Sequence, residues 1–287
     1  ILEEDGVIKS ARQFKIKSRM DKNDGKYRTG VYELSPSMDM DEIMQILMDG
    51  SQNTLRFMVP EGYTLKQIAD KFAETGNGTA EDFLNETENG DFDFEYNDQM
   101  VDGEKRYEGF LYPDTYEIYK NESAHGIIQR MLTRFEQVYD AAADEATVDT
   151  SKYSVFDLVT VASLIEREVK LDEERPLVAS VIYNRLNKNM KLQMCSTVQY
   201  ALGTPKARLM NSDLKIDSPY NTYQNAGLPA GPIASPGQAS ISAALHPADT
   251  DYLYFVLTSA GSGKHNFAAT GDDFNSYRED YLASLTE

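Results

Sequence analysis

The chain has 287 residues, with 28 Lys+Arg against 47 Asp+Glu and a formal net charge of -19; it is long enough for one large or two ordinary domains with a real core. No clustered basic patch offsets that charge, so nucleic acid is not expected as a partner. The single cysteine, Cys195, rules out an internal disulfide and a cysteine-based zinc site, and no apolar run approaches the roughly 18 residues of a membrane span.

The chain opens on Ile1 rather than Met, and a native start upstream of it, with a signal or an anchor, is the expectation. The first forty residues mix charged and polar groups. "MDMDEIMQILMDG" then predicts a short helix capped by Asp39 or Asp41, with Ile43, Met44 and Leu47 as its stripe and Gly50 as its stop. "TLRFMVPEGYTLKQIADKF" predicts a strand with Leu55, Phe57 and Val59 on one face, a turn at Pro60-Glu61-Gly62, and a Thr64-capped helix bearing Leu65, Ile68, Ala69 and Phe72. The acidic, Asn-rich and aromatic segment from Glu81 to Asp102 is read as the end of an N-terminal domain, residues 1–102, with residues 103–287 as the second.

"YEGFLYPDTYEIYK", Tyr107 to Lys120, continues an aromatic-rich stretch that begins at Phe92 and Phe94. Helices are predicted from about His125 to Ala143, from Ser154, and from about Glu173 to Lys188. Residues 192–239 read as long ordered loops with short helices, a pattern that inside a domain tends to carry function. "DYLYFVLT", Asp251 to Thr258, reads as a strand and "FNSYREDYLASL" as a terminal helix. The whole is an α+β chain.

The helix from Ser154 raises the chemical question. Val155, Leu158, Val161, Ala162, Ile165 and Val169 form one apolar stripe, with Glu166 and Glu168 on its opposite margins. Glu166 has Ala162, Ser163, Val169 and Lys170 as its helical neighbours, so a pair with Lys170 would keep it ionised. Glu168 has Leu164, Ile165, Leu171 and Asp172. Apolar surroundings and a like charge both raise a carboxyl pKa, which makes Glu168 the better proton donor near neutral pH. Other chemistry is sparse: His125, His246 and His265 are too scattered for a metal cluster, and no H-E-x-x-H, G-x-S-x-G or Walker A spacing is present. Cys195 has no local base and reads as a small buried filler. No metal or organic cofactor is implied.

The stretches "YEGFLYPDTYEI", "ASLIEREVK", "VIYNRL", "LQMCSTVQYALG" and "SPYNTYQNAGLPAGPIASPGQASISAALHPADTDYLYFV" stand in one order, and from about Thr54 onward the chain resembles the YceG-like family of endolytic murein transglycosylases. The resemblance implies a LysM-like module around "VPEGYTLKQIADKF", at about 54–95, followed by a lysozyme-like catalytic domain. It also implies an N-terminal membrane helix upstream of Ile1, with the catalytic domain facing outward, and peptidoglycan glycan strands as substrate. The second glutamate of the family's A-S-x-I-E-x-E motif falls on Glu168. By resemblance this residue would cleave the β-1,4 bond between N-acetylmuramic acid and N-acetylglucosamine without water, first as acid and then as base toward the muramyl C6 hydroxyl, leaving a 1,6-anhydro ring.

The motifs nominate further sugar contacts by their chemistry. Glu108, Tyr112, Asp114 and Tyr116 offer aromatic faces and hydroxyl acceptors, and Gln193, Ser196, Tyr220, Asn221, Thr222 and Tyr223 offer donors and acceptors, chiefly neutral ones. "GLPAGPIASPG", Gly227 to Gly237, reads as a proline-stiffened wall, and His246 and Asp249 as braces. The family form L-Q-x-D-P-T-V reads "LQMCSTV" here, with Cys195 and Ser196 in place of Asp-Pro, so no role of that aspartate carries over. Two other readings stay open: a non-catalytic glycan-binding scaffold of the envelope, and a muramidase-type hydrolase. Glycan-synthesising complexes are a further class of partner that the resemblance brings in.

Overall fold

The computed structural model describes the chain except residues 31, 33, 51–53, 145, 205, 207–208 and 286–287. In chain order the described elements are α1 (Ala11–Met20), α2 (Met40–Asp49), β1 (Thr54–Met58), α3 (Leu65–Ala73), α4 (Ala80–Asn89), β2 (Thr115–Tyr119), α5 (Ala124–Ala143), α6 (Val155–Glu168), α7 (Arg175–Asn187), α8 (Cys195–Leu202), α9 (Gln238–Leu245), β3 (Tyr254–Leu257), β4 (His265–Ala268) and α10 (Gly271–Ser284). Short 3-10 turns lie at Asn97–Gln99, Asp172–Glu174 and Asp213–Lys215.

Local chemistry sets most helix starts. Asp39, Thr64 and Ser154 each close a reciprocal capping box, with Glu42, Gln67 and Asp157 respectively, which satisfies the first free N–H groups of α2, α3 and α6. α4 begins in the same way, with Thr79 and Asp82. It lies in the acidic segment that ends at Asp102, for which no helix was predicted, and it buries only Phe83 and Thr87.

β1 and β2 pair antiparallel from Thr54↔Tyr119 to Met58↔Thr115. That pairing crosses the expected boundary at 102/103, and one apolar cluster runs without a break from Phe57 and Phe72 through Phe110 and Phe135 to Ile165, Ile182 and Leu245. Of the strand face predicted for β1, Phe57 and Val59 are buried whereas Leu55 is exposed. α3 packs on α4 and α4 on α5, while α6 lies among α7, α8 and α9. Every residue of α6 from Leu158 to Ile165 is buried, so this helix is enclosed on all sides and is not a half-exposed amphipathic element. β3 pairs with β4 antiparallel from Tyr254↔Ala268 to Leu257↔His265, and α10 covers this hairpin.

The loop from Gly227 to Gly237 is pinned by hydrogen bonds to α6 and to the Gly62–Tyr63 turn. Ile233 N–H donates to Ser163 Oγ of α6 at 3.1 Å. Gly62 N–H donates to Ser235 O at 2.8 Å, and Ser235 N–H donates to Tyr63 O at 2.7 Å. Gly109 meets the same loop from the aromatic stretch: its φ is +85°, and a Cβ there would lie 2.5 Å from Pro232 Cβ, so both the backbone conformation and the close approach require glycine.

Candidate active site

The two glutamates at the end of α6 have separate surroundings. Glu166 Oε2 accepts from Arg175 Nη1 at 3.2 Å, from Gly237 N at 3.1 Å and from Ser240 Oγ at 2.9 Å. Both side chains of the Glu166–Arg175 pair are 8% exposed. The expected partner, Lys170, is not the one found. α6 stops at Glu168 and Val169 is extended, so the i,i+4 geometry that would bring Lys170 to Glu166 is never formed.

Glu168 is half-buried at the C-terminal end of α6. Burial raises its carboxyl pKa above the ordinary value, opposed by hydrogen bonding to Ser196 and by the nearby His265 and Arg167. The anticipated like charge from Asp172 is not among the causes; Asp172 Oδ1 instead accepts from Arg175 Nε at 3.0 Å. Ser196 N–H donates to Glu168 Oε1 at 3.3 Å. Ser196 lies in the first turn of α8, which begins at Cys195 with no side-chain cap of its own. Glu168 therefore serves as an acceptor for a free N–H at this helix N-terminus, where the backbone dipoles favour negative charge.

Glu168 opens onto a cleft of about 390 Å³. The other walls come from Phe255, Val256 and Leu257 of β3, from His265 of β4, from Lys170, and from two glycines, Gly261 and Gly263, in the β3–β4 connection. Glu168 is the only carboxylate among these lining residues. Among the described residues no group of three or more His, Cys, Asp or Glu side chains could hold a metal ion.

The nominated sugar contacts divide into those near Glu168 and those used elsewhere. Ser196 touches Glu168 directly. Tyr223 lies close enough for the Glu168 charge to raise its phenol pKa further, although burial is the larger cause. Its hydroxyl sits 3.2 Å from Cys195 Sγ. Cys195 is exposed, which corrects the reading of it as a buried filler: as the first residue of α8 it points away from the core. Gln193 is exposed, just ahead of α8, with a left-handed φ of 54°; its N–H donates to Thr222 O at 3.2 Å.

The remaining nominees are occupied within the protein. Asn221 is fully buried; its Nδ2 donates to Leu214 O and Ile216 O at 3.2 and 2.8 Å, and its Oδ1 accepts from Tyr223 N at 3.0 Å. Thr222 Oγ1 accepts from Met194 N at 3.0 Å and lies 2.9 Å from Thr197 Oγ1. Asn221 therefore ties the 218–225 loop to the 214–216 segment, and Thr222 braces it against the approach to α8. Tyr112 and Tyr116 are buried, Tyr116 donating from its hydroxyl to Tyr112 O at 2.6 Å. Asp114 Oδ2 accepts from Arg134 Nε at 3.1 Å. The aromatic stretch forms core: Phe94 stands edge-on to Tyr107, Phe110 and Phe135 at centroid distances of 6.0, 5.9 and 6.1 Å. In such a segment the aromatic side chains bury more apolar area by packing on one another than by lining a wet groove.

Glu108 is buried with both oxygens engaged. Oε1 accepts from Leu65 N at the start of α3, and Oε2 accepts from Tyr200 Oη of α8, each at 2.8 Å. Burial raises its pKa to about 7, opposed by those two bonds and by Lys105. Lys105 Nζ lies 4.4 Å from the ring centroids of both Tyr200 and Tyr220. Tyr220 thus belongs to this cationic and aromatic cluster. His246 Nε2 lies 3.0 Å from Ala142 O, a bracing contact of the kind expected for it. His265, dismissed with the other histidines as scattered, was missed as a cleft residue; nothing in its local sequence signals that it reaches Glu168.

The comparisons agree with one another. The YceG-like family model matches residues 1–280. An endolytic murein transglycosylase of Bacillus subtilis is 38% identical over 299 residues, covering 100% of this chain and 82% of that protein. Another of the same name from Streptococcus pneumoniae serotype 2 is 31% identical over 303 residues, 95% of this chain and 54% of that protein. The crystal structure of a yceG-like protein from Listeria monocytogenes matches with a TM-score of 0.68 at 36% identity, covering 96% of this chain and 92% of that one. Agreement along almost the whole length, in sequence and in fold, leads to one conclusion: the chain belongs to the YceG-like family.

Proposed function

We propose that the chain is an endolytic peptidoglycan lytic transglycosylase in which Glu168 acts alone, first as acid and then as base. The observation that carries this reading is Glu168 itself, a half-buried acid with its pKa raised by burial, as the only carboxylate among the described residues that line the cleft. The names of the relatives from Bacillus subtilis and Streptococcus pneumoniae, endolytic murein transglycosylase, point to the same substrate class.

Protonated Glu168 gives its proton to the glycosidic oxygen between N-acetylmuramic acid and N-acetylglucosamine, and the C–O bond to the muramyl anomeric carbon breaks with an oxocarbenium-like centre forming. The new carboxylate gains from the Ser196 N–H and the α8 N-terminus. It then takes the proton of the muramyl C6 hydroxyl, whose oxygen closes on the anomeric carbon as a 1,6-anhydro ring. The acid is restored and no water is consumed, with the bound geometry supplying the advantage of proximity. Gln193, Ser196, Tyr220 and Tyr223 are the nominated residues with surfaces near α8 for sugar contacts.

The order β1-α3-α4-β2, with its two strands paired, supports a LysM-like module that closes at Tyr119, and the helices α5 to α9 form the lysozyme-like part. No helix among the described residues is long and apolar enough to cross a membrane; in this proposal a single anchor precedes Ile1, the cleft faces the extracytoplasmic side, and glycan-synthesising complexes are the neighbours. The test is to incubate the protein and its Glu168→Gln variant with un-crosslinked glycan strands and analyse the ends by mass spectrometry. Anhydromuramyl ends from the parent alone support the proposal. Equal product from both removes Glu168 from its role, reducing ends identify a hydrolase, and glycan binding without cleavage by the parent identifies a scaffold.

A further inference from the structure

His265 of the cleft is held by a second acid that the chemistry above does not use. Glu174, 4% exposed, faces His265, 7% exposed. Glu174 Oε1 accepts from the His265 backbone N–H at 2.8 Å, and Oε2 lies 2.7 Å from Nδ1. The imidazole is held further by Phe255 and Phe267, edge-on at 5.5 and 6.4 Å between centroids. A carboxylate at Nδ1 keeps a proton on that nitrogen, so Nε2 is an acceptor in the neutral ring and a donor in the charged one. Among the described residues Nε2 has no hydrogen-bond partner, nor is it one of the sealed, unsatisfied buried atoms. His265 lines the same cleft as Glu168, so the unused edge of the ring is the one left to that cleft.

A histidine packed against two aromatic rings, with one nitrogen fixed by a buried carboxylate and the other left open, is a preorganised hydrogen-bonding group. From this geometry we propose that His265 is a substrate-contacting residue of the Glu168 cleft, its Nε2 hydrogen-bonded to a pyranose hydroxyl of the bound glycan, with Glu174 as the positioning residue that fixes the ring. The inference rests on the glycan reading of the cleft. No proton is transferred to His265; the bond orients the sugar against Glu168, which keeps both proton steps.

The experiment follows the imidazole nitrogens of the full-length Glu168→Gln variant by 15N NMR during titration with un-crosslinked glycan oligosaccharide, with binding measured in parallel by calorimetry. The Nε2 resonance of His265 is expected to move to saturation with the binding isotherm while those of His125 and His246 stay in place. His265→Asn keeps a donor for Glu174 and deletes the Nε2 edge, and it is expected to lower kcat/KM roughly tenfold with an unchanged melting temperature. Saturable binding with a stationary Nε2 signal overturns the inference and leaves the glycan reading intact, whether or not His265→Asn folds. A folded His265→Asn with parental kcat/KM overturns it as well. Absence of any glycan binding overturns the glycan reading, and this inference with it.

Discussion

Ser196 N–H points at Glu168 Oε1 from 3.3 Å, at the start of a helix that has no side-chain cap. Two opposing influences therefore meet on one carboxyl: burial favours the neutral acid, and the helix N-terminus favours the anion. An acid that must give up a proton and recover it within one reaction requires both forms to be accessible, and this arrangement supplies that.

The pH dependence of cleavage follows from the direction of the Glu168 shift. In the proposed reaction the acid must be protonated when the glycosidic bond breaks, so activity is expected to be full below its folded pKa and to be lost as pH rises through it. Because burial raises that pKa, the alkaline limb of kcat/KM is expected at higher pH than an ordinary glutamic acid would give. Glu168→Gln is expected to cost roughly 10²- to 10⁴-fold in rate; a pH-rate profile of the parent and a single-turnover assay of the variant check both points.

Replacing Ser196 by Pro deletes the N–H that Glu168 accepts, at a helix position where proline is tolerated. Loss of a donor to the anion raises the acid's pKa further, so the alkaline limb of Ser196→Pro is expected to move to still higher pH. Ser196→Ala keeps the N–H and is expected to move it less. Parallel pH profiles of the two variants decide; an unmoved limb in Ser196→Pro would show that this bond does not tune Glu168.

Glu166 is expected to matter for stability. It is paired with Arg175 and bonded to Gly237 and Ser240 in a site almost closed to solvent, and Glu166→Ala leaves a buried guanidinium without its main counter-charge. A loss of about 3–5 kcal/mol in urea unfolding is expected, part of it recovered when Arg175→Met is added. A Glu166→Ala protein as stable as the parent would contradict this account.

Glu108 links stability to pH. Its pKa rises from 4.5 to about 7 on folding, so its contribution is fully present below about pH 4.5 and is lost as pH rises through 7. The change is on the order of 3 kcal/mol if burial holds throughout. Glu108→Gln cannot ionise, so its stability relative to the parent is expected to improve between pH 4.5 and 7.5. Denaturant melts across that range measure the difference, and parallel curves for parent and variant would count against a neutral Glu108.

The helices from Ser154 and near His125 and the Asp39 and Thr64 caps were legible in the chain, because caps and apolar periodicity act over three or four residues. α4 escaped that reading, since its acidic and Asn-rich face hides a start made by Thr79 and Asp82. Beyond that range, three-dimensional packing decided. It set β2 beside β1, gave Arg175 to Glu166 in place of Lys170, and turned Asn221, Thr222, Tyr112 and Tyr116 inward. It also brought His265 to Glu174, 91 residues away along the chain. A polar or aromatic side chain in a loop has the same local signature whether it faces a cleft or a neighbour. Only docking of distant segments, driven by the burial of their apolar faces, settles which atoms remain free for chemistry.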